Sequence, residues 1–274
     1  MPELPEVETC RAGIEPYILG KRFRRLLIRE ARLRWPIAPE LSLLLPGLCV
    51  LAVKRRGKYI LLETEAGHVL LHLGMSGNLR IATAGQQVRK HDHADFEFTD
   101  GTLLRFNDQR RFGSLLWTAE PPEEHALLRD LGPEPLSESF NAAYLHHLAR
   151  RRAAAVKLLL MDSRAVVGVG NIYASEALFA AGVHPGRPAR DLTLAEWEST
   201  AGCVKSILRQ AIAQGGTTLR DFVNEQGKPG YFQQQLGVYG RAGEACRRCG
   251  ALIEQVRLGQ RSSFYCPVCQ PVAA

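Results

Sequence analysis

The stretch DFEFTDGTLLRF (95–106) decides how the first half of the chain is read. Phe96 and Phe98 alternate with polar neighbours, as the pleat of a half-buried strand requires. Asp100-Gly101 then reads as a two-residue hairpin turn, because glycine tolerates positive φ, and Thr102–Phe106 is the returning strand. Outward from this hairpin lie Leu48–Val53, Lys58–Glu63, His68–Leu73 and Ser114–Trp117, short runs rich in β-branched, aromatic and leucine residues. Short strands at such close spacing predict a sandwich or barrel. A helix from Pro5 to Ile18 precedes them, with Val7, Cys10, Ile14 and Ile18 on one face. Pro5 stands early in it, where a missing N–H costs little.

Pro121-Pro122 and Gly132-Pro133-Glu134-Pro135 mark a change of texture, and Phe140 to Gln214 is helical in pattern. Thr193 and Glu196 form a capping box, each side chain satisfying an orphan amide of a first turn. Leu194, Trp197, Ala201, Val204, Leu208 and Ala211 follow on one face, and Gly215-Gly216 ends the helix. Residues 215–230 are rich in Gly, Thr, Asn, Gln and Pro and read as a long loop, a length usually kept for function. The expected class is α+β, strands first and helices after.

The chain has 274 residues, enough for roughly two domains at ~150 residues each. With 46% hydrophobic and 23% charged residues it is an ordinary globular composition. The longest apolar stretch, Leu41 to Val53, is broken by Pro46 and Gly47 and falls short of the ~18 residues a membrane span needs. The start MPELPEVETC has neither a basic nor an apolar signal region. The seven cysteines therefore read as thiols or metal ligands in a reducing compartment. The net charge is +7, which favours a polyanionic partner. Its distribution says more: Lys21, Arg22, Arg24, Arg25, Arg29, Arg32 and Arg34 face Glu30 alone, and further clusters sit at 54–58, 110–111, 150–152 and 247–248. Any one is a solvated face; several together suggest a positive track.

Cys246-x2-Cys249-x16-Cys266-x2-Cys269 has the spacing of a four-thiolate zinc site, closed to catalysis by its four protein ligands. Two disulfides are the alternative. Leu258-Gly259-Gln260 between the knuckles reads as a hairpin turn with Arg257 and Arg261 beside it, either a groove probe or a mere staple. Pro2 follows Met1, and a small second residue permits removal of the initiator methionine. The secondary amine so exposed, with a pKa near ~8, is partly neutral at pH 7 and nucleophilic. Glu3 and Glu6 beside it suit general acid or base work. The plain alternative is a proline that begins a helix, with glutamates at its positive end. His91-Asp92-His93 with Asp95 is either a metal cluster or, more simply, a strand edge with alternating histidines. Gly168-Val169-Gly170-Asn171 either offers amides to phosphate or makes a tight turn into a helix.

PELPEVET (2–9), GKY (57–59), HLGMSG (72–77), KHDHADF (90–96), RRFG (110–113), GVGNIYASE (168–176), TTLRDF (217–222), GKPGYF (227–232) and the Cys246–Cys269 finger together resemble the formamidopyrimidine-DNA glycosylase family. The motifs run in order along essentially the whole chain. The resemblance implies an N-terminal β-sandwich domain with its helix (1–132), a helix–two-turn–helix domain with a lesion-recognition loop (133–236) and a zinc-finger hairpin (237–274). It implies a bacterial, cytoplasmic, monomeric enzyme of base-excision repair, with one structural Zn²⁺ and no catalytic metal. DNA holding 8-oxoguanine or a formamidopyrimidine would lie across a cleft between the domains, with the damaged nucleotide flipped out.

By the same resemblance Pro2 attacks C1′, Glu3 opens the sugar, Glu6 and Lys58 support them, and Arg261 serves the later of two eliminations, β then δ. Met75, Arg110 and Phe112 fill the vacated space, an apolar wedge beside a guanidinium that reads the orphaned cytosine. Lys58, His91, Arg110, Arg111, Asn171 and Arg261 are the DNA contacts. Glu176, Thr217, Thr218 and Arg220 line the lesion pocket. Arg220 stands where relatives often carry lysine, which keeps the charge and changes the geometry. Two other readings stay open. An endonuclease VIII-like enzyme would prefer oxidised pyrimidines; RRFG and the long lid stand against it. A non-catalytic zinc-ribbon DNA-binding protein fits charge and zinc equally, and the Pro2-Glu3-Glu6 start separates it from the enzymes.

Overall fold

A computed structural model describes residues 2–83, 85–217 and 235–272. They form two compact units, residues 2–129 with 214–217, and residues 130–213 with 235–272. No helix among the described residues is long and apolar enough to cross a membrane.

The first unit opens with α1 (Leu4–Ile18), followed by β1 (Phe23–Ile28) and a single turn of helix, α2 (Leu41–Leu44). Seven strands follow: β2 (Ala52–Arg56), β3 (Tyr59–Thr64), β4 (Gly67–His72), β5 (Gly77–Thr83), β6 (Asp92–Phe98), β7 (Thr102–Asp108) and β8 (Ser114–Thr118). They make two four-stranded antiparallel sheets, ordered β1-β6-β7-β5 and β2-β3-β4-β8. The inward residues of both sheets join the inner face of α1 in one core: Phe96, Phe98 and Phe106 from one side, Ile60, Leu62 and Val69 from the other. Val7, Cys10, Ile14 and Ile18 are all buried there, as their spacing predicts. Such closely packed apolar burial is the main favourable term holding the sandwich.

The hairpin is real but its loop has three residues, 99–101. Gly101 N donates to Phe98 O at 3.0 Å and Gly101 sits at φ +87°, a tight turn closed by a left-handed glycine. The expected strand Leu48–Val53 begins only at Ala52. Its first half instead bonds back to residues 20–23, with Val50 N on Lys21 O at 2.9 Å. Strand β1 departs from the sequence reading of 21–34 as a basic run. A register shift between Phe23 and Arg25 breaks its alternation, so Arg24 and Arg25 both face solvent while Phe23 and Leu26 reach the core.

The second unit holds α3 (Ala142–Ala149), α4 (Val156–Met161), α5 (Asn171–Ala181) and α6 (Leu194–Ala213), then the hairpin β9 (Glu254–Leu258) and β10 (Arg261–Tyr265). Glu196 N donates to Thr193 Oγ1 at 3.3 Å and Thr193 N to Glu196 Oε2 at 2.8 Å, the expected capping box of α6. Trp197, Ala201, Val204, Leu208 and Ala211 are buried; Leu194, expected with them, is exposed in the first turn.

Candidate active site and metal centre

Chain start and loop meet at the first turn of α1. Glu3 is its N-cap and Pro5 lies within the first turn, where proline has no helical bond to lose. Pro2, Glu3 and Glu6 are all buried, the carboxylates almost completely. Burying acids is costly unless donors meet them. Here Glu3 N donates to Glu6 Oε2 at 2.8 Å. Thr217 donates twice to the other oxygen, Glu6 Oε1, from N at 2.8 Å and from Oγ1 at 2.9 Å. Glu6 therefore clamps the turn that carries Pro2 to the segment that follows α6, Gly216 and Thr217. Gly216 makes room for it: at φ +80° a Cβ would stand 2.9 Å from Glu6 Oε1. Thr218 and Arg220, expected in the lesion pocket with Thr217, lie outside the described residues.

Lys58 follows Gly57 (φ +57°) in the turn between β2 and β3 and is half-buried. Near it the His72 ring lies tilted against Tyr59, centres 4.8 Å apart, and accepts Gly74 N at Nδ1, 3.0 Å away. Burial, then the charges of Lys58 and Arg34, push His72 down to about 4, so it is neutral at pH 7. His72 is a polar residue of this face that sequence reasoning did not single out.

Met75 is half-buried, and Arg110, Arg111 and Phe112 are exposed. The Arg110 guanidinium lies 5.0 Å from the Phe112 ring centre, a cation–π pair on the surface. With Arg32, Leu33, Arg34 and Arg111 they line an open basic groove. His91 takes a left-handed backbone at φ +72°, just before β6. His93 is buried with Nε2 on Asp108 O at 2.6 Å, and Asp95 pairs with Arg29 and Arg105. His91–Asp95 thus leads into an inner strand with ion pairs: β6 lies between β1 and β7, where the simpler reading expected a strand edge.

In the second unit the turn into α5 places Asn171 as the first helical residue, with Nδ2 donating to Ser262 O at 3.1 Å. Arg261 is exposed at the start of β10, one side of a tight turn through Gly259 (φ +57°) and Gln260. Lys157 of α4 is fully buried, and its ammonium donates to Ser263 Oγ at 2.7 Å and Ser262 O at 3.2 Å. Asn171 and Lys157 therefore hold the strand immediately after Arg261, at the turn end of the hairpin. The Lys157 contact spans over a hundred residues, so no local spacing announces it. Glu176 accepts three amides, from Gly237 at 2.7 Å, Val238 at 3.0 Å and Tyr239 at 2.8 Å, and fastens that segment to α5.

The Sγ atoms of Cys246, Cys249, Cys266 and Cys269 all lie within 4.8 Å of one another, the sole such group of metal-ligating side chains found among the described residues. A tetrahedral zinc with Zn–S near 2.3 Å requires sulfurs roughly 3.8 Å apart. The pairs Cys246–Cys269 and Cys249–Cys266 stand at 3.9 and 3.4 Å. Arg248 N donates to Cys246 Sγ and Cys269 N to Cys266 Sγ, each at 3.4 Å, as expected where thiolates are held in knuckles. Burial and then hydrogen bonds with the neighbouring sulfurs push the Cys269 thiol up to about 12, while, against burial, backbone donors help draw Cys246 down to about 7. The four residues fit one structural zinc, closed by its own ligands.

Three family models match the chain: the formamidopyrimidine-DNA glycosylase N-terminal domain over residues 1–115, its H2TH domain over 131–223, and the zinc finger found in FPG and IleRS over 243–272. A formamidopyrimidine-DNA glycosylase of Methylococcus capsulatus is 57% identical over 98% of this chain and all of its own length. One of Pseudomonas aeruginosa is 54% identical over the same shares. Among solved structures, a Lactococcus lactis FPG mutant in complex with Fapy-dG-containing DNA superposes with a TM-score of 0.90 at 33% identity, covering 99% of this chain and 100% of that one. The MutM (FPG) protein of Thermus thermophilus does so with 0.87 at 38% identity, over the full length of both. From residue 2 to the last cysteine, the chain belongs to the formamidopyrimidine-DNA glycosylase family.

Proposed function

We propose that this chain is a bifunctional DNA glycosylase and abasic-site lyase of base-excision repair, acting on 8-oxoguanine and formamidopyrimidines in double-stranded DNA. The observation that carries the reading is the start of α1, where Pro2, Glu3 and Glu6 are all buried and Glu6 is wired to Thr217. The Glu3–Glu6 bond is half of a capping box that any helix start can carry; the added tie from Glu6 to Thr217 is what a DNA-binding scaffold does not require. A nucleophile that must form a covalent intermediate does, because it must be held at one angle to the sugar.

Once Met1 is removed, the neutral Pro2 nitrogen attacks C1′ of the extruded nucleotide. The glycosidic bond breaks, and the base leaves with its electron pair and takes a proton. Glu3 protonates the ring oxygen, the sugar opens, and the secondary amine becomes an iminium. That cation acidifies the C2′ proton; its loss expels the 3′ phosphate, and a second elimination expels the 5′ phosphate. Glu6 holds the turn and the start of the loop in register. Lys58, His91, Asn171 and Arg261 are phosphate grips, with Arg261 also serving the second elimination, and Arg111 is a further DNA contact. Met75, Arg110 and Phe112 occupy the helix after extrusion, and Glu176, Thr217, Thr218 and Arg220 belong to the lesion pocket. The three functional parts run 1–132, 133–236 and 237–274. The place of action is the bacterial cytoplasm, on the chromosome, where zinc thiolates stay reduced.

Reduction with borohydride in the presence of 8-oxoguanine duplex tests the reading. A covalent protein–DNA adduct is expected from the mature chain and none from the Pro2→Gly, Glu3→Gln variant. An adduct undiminished in that variant refutes it. Faster release of thymine glycol than of 8-oxoguanine would favour the pyrimidine branch of the family instead.

A further inference from the structure

Met75 on one side, and Arg110 with Phe112 on the other, stand on two separate loops, 73–76 between β4 and β5 and 109–113 between β7 and β8. One carboxylate joins them. Asp108, the last residue of β7, is fully buried. Its Oδ1 accepts Ser76 Oγ at 2.6 Å, and its Oδ2 accepts Gly113 N at 2.7 Å. Arg110 N donates to Ser76 Oγ at 2.9 Å and to Asp108 Oδ1 at 3.3 Å. The Asp108 backbone is engaged as well. Its N donates to His91 O at 3.0 Å, and its O accepts Arg111 N at 3.3 Å and His93 Nε2 at 2.6 Å. The loops also touch directly: at Gly74, φ +62°, a Cβ would overlap Phe112 and Gly113. Arg110 is therefore aimed from an amide bonded to Asp108 directly and through Ser76, Phe112 precedes the bonded amide of Gly113, and Met75 neighbours Ser76.

We propose that Asp108 is the positioning residue that locks the two insertion loops in register, with Ser76 as its relay, so that Met75, Arg110 and Phe112 enter the duplex as one rigid unit. This rests on the void-filling role given to those three residues above. Asp108 touches neither the substrate nor the reacting atoms. A buried carboxylate is tolerated only with its donors in place, and those donors are supplied by the two loops. The loops in turn need the carboxylate to hold one arrangement before DNA arrives, which removes an ordering cost from extrusion. Asparagine cannot replace it: one oxygen can still accept Gly113 N, but an NH₂ then faces the Arg110 amide, donor against donor.

The test compares excision of 8-oxoguanine from a duplex, opposite cytosine and opposite adenine, with borohydride trapping on an abasic site in single-stranded DNA, where no void needs filling. For Asp108→Asn the ratio of duplex excision to single-strand trapping is expected to fall on the order of tenfold, with a shrinking preference for cytosine over adenine. Ser76→Ala, which leaves the carboxylate in place, is expected to move both readouts the same way by a few-fold. Loss of both activities in step with thermal stability, or an unchanged ratio in both variants, overturns the proposal. A wild-type chain that traps nothing on either substrate refutes the lyase itself, and the proposal with it.

Discussion

Adjacent glycines after α6 offer a matched pair of perturbations. Gly215 and Gly216 have φ of +75° and +80°, so alanine at either carries a left-handed backbone cost of about 1–2 kcal/mol. They differ in what a Cβ meets. At 215 the nearest atom is Thr9 Cγ2 at 4.0 Å, an ordinary contact. At 216 the Cβ stands 2.9 Å from Glu6 Oε1 and 3.1 Å from its Cγ. Glu6 cannot swing away freely, because Glu3 N holds one oxygen and Thr217 holds the other twice. Displacing it breaks bonds to a charged acceptor, each worth about 1.5–3 kcal/mol net. Gly215→Ala is therefore expected to lower Tm by roughly 2–8 °C, and Gly216→Ala by several degrees more. The second readout is functional. Adduct formation on 8-oxoguanine duplex, followed under borohydride at 25 °C, is expected to be about tenfold or more slower for Gly216→Ala than for Gly215→Ala, a difference of ~1.4 kcal/mol or more in barrier. Equal melting and equal trapping in the two variants would refute the reasoning that Glu6 positions the reactive turn.

Four further outcomes follow from the same geometry. An uncleavable residue placed ahead of Pro2 converts the amine to an amide, so trapping is expected to vanish while salt-sensitive duplex binding remains in a gel-shift titration. Arg110→Ala is expected to reduce discrimination between cytosine and adenine opposite the lesion by about tenfold, the scale of one good base contact. Lys58→Ala is expected instead to weaken binding evenly across sequences and to reduce the salt slope by ~1. His72 falls from the ordinary 6.5 to about 4 in the fold through burial, then through Lys58 and Arg34. Between those values the unfolded chain binds the extra proton, so the stability due to neutral His72 is complete above pH 6.5 and is lost as pH falls towards 4. Urea titrations across that range are expected to show a flatter acid limb for His72→Gln.

The parts of the molecule legible in the sequence are those whose partners are close in the chain. Cys246, Cys249, Cys266 and Cys269 announce a zinc site because each knuckle is a local turn, and the sulfurs do converge. The capping box of α6 and the inner face of α1 are equally local, set by spacings of three and four. Strand β1 was hidden because its bulge puts Arg24 and Arg25 on one side together, which erases the alternation that reveals a strand. The loop at Asp100-Gly101 is longer by one residue than its dipeptide suggests, since the same pair also serves a turn closed by a left-handed glycine.

The candidate site divides in the same way. Pro2, Glu3 and Glu6 are visible as an unusual acidic start, and resemblance to a family gives them chemistry. Their bond to Thr217 spans over two hundred residues and only folding reveals it. Lys157 beneath the Arg261 hairpin and Asp108 between two loops are equally silent in sequence, as is the grip of Glu176 on three amides, although resemblance names that residue. Each is a buried charge whose role is set by donors or acceptors from elsewhere in the chain, and periodicity carries no record of that.

The central claim is that the nitrogen of residue 2 forms the bond to the sugar. The most direct measurement reduces the complex with 8-oxoguanine duplex by borohydride, digests it with nuclease and trypsin, and locates the sugar remnant by mass spectrometry. The account predicts the added mass on the peptide PELPEVETCR (2–11), at Pro2. A remnant on Lys58 or any other lysine, with residues 2–11 unmodified, would contradict it.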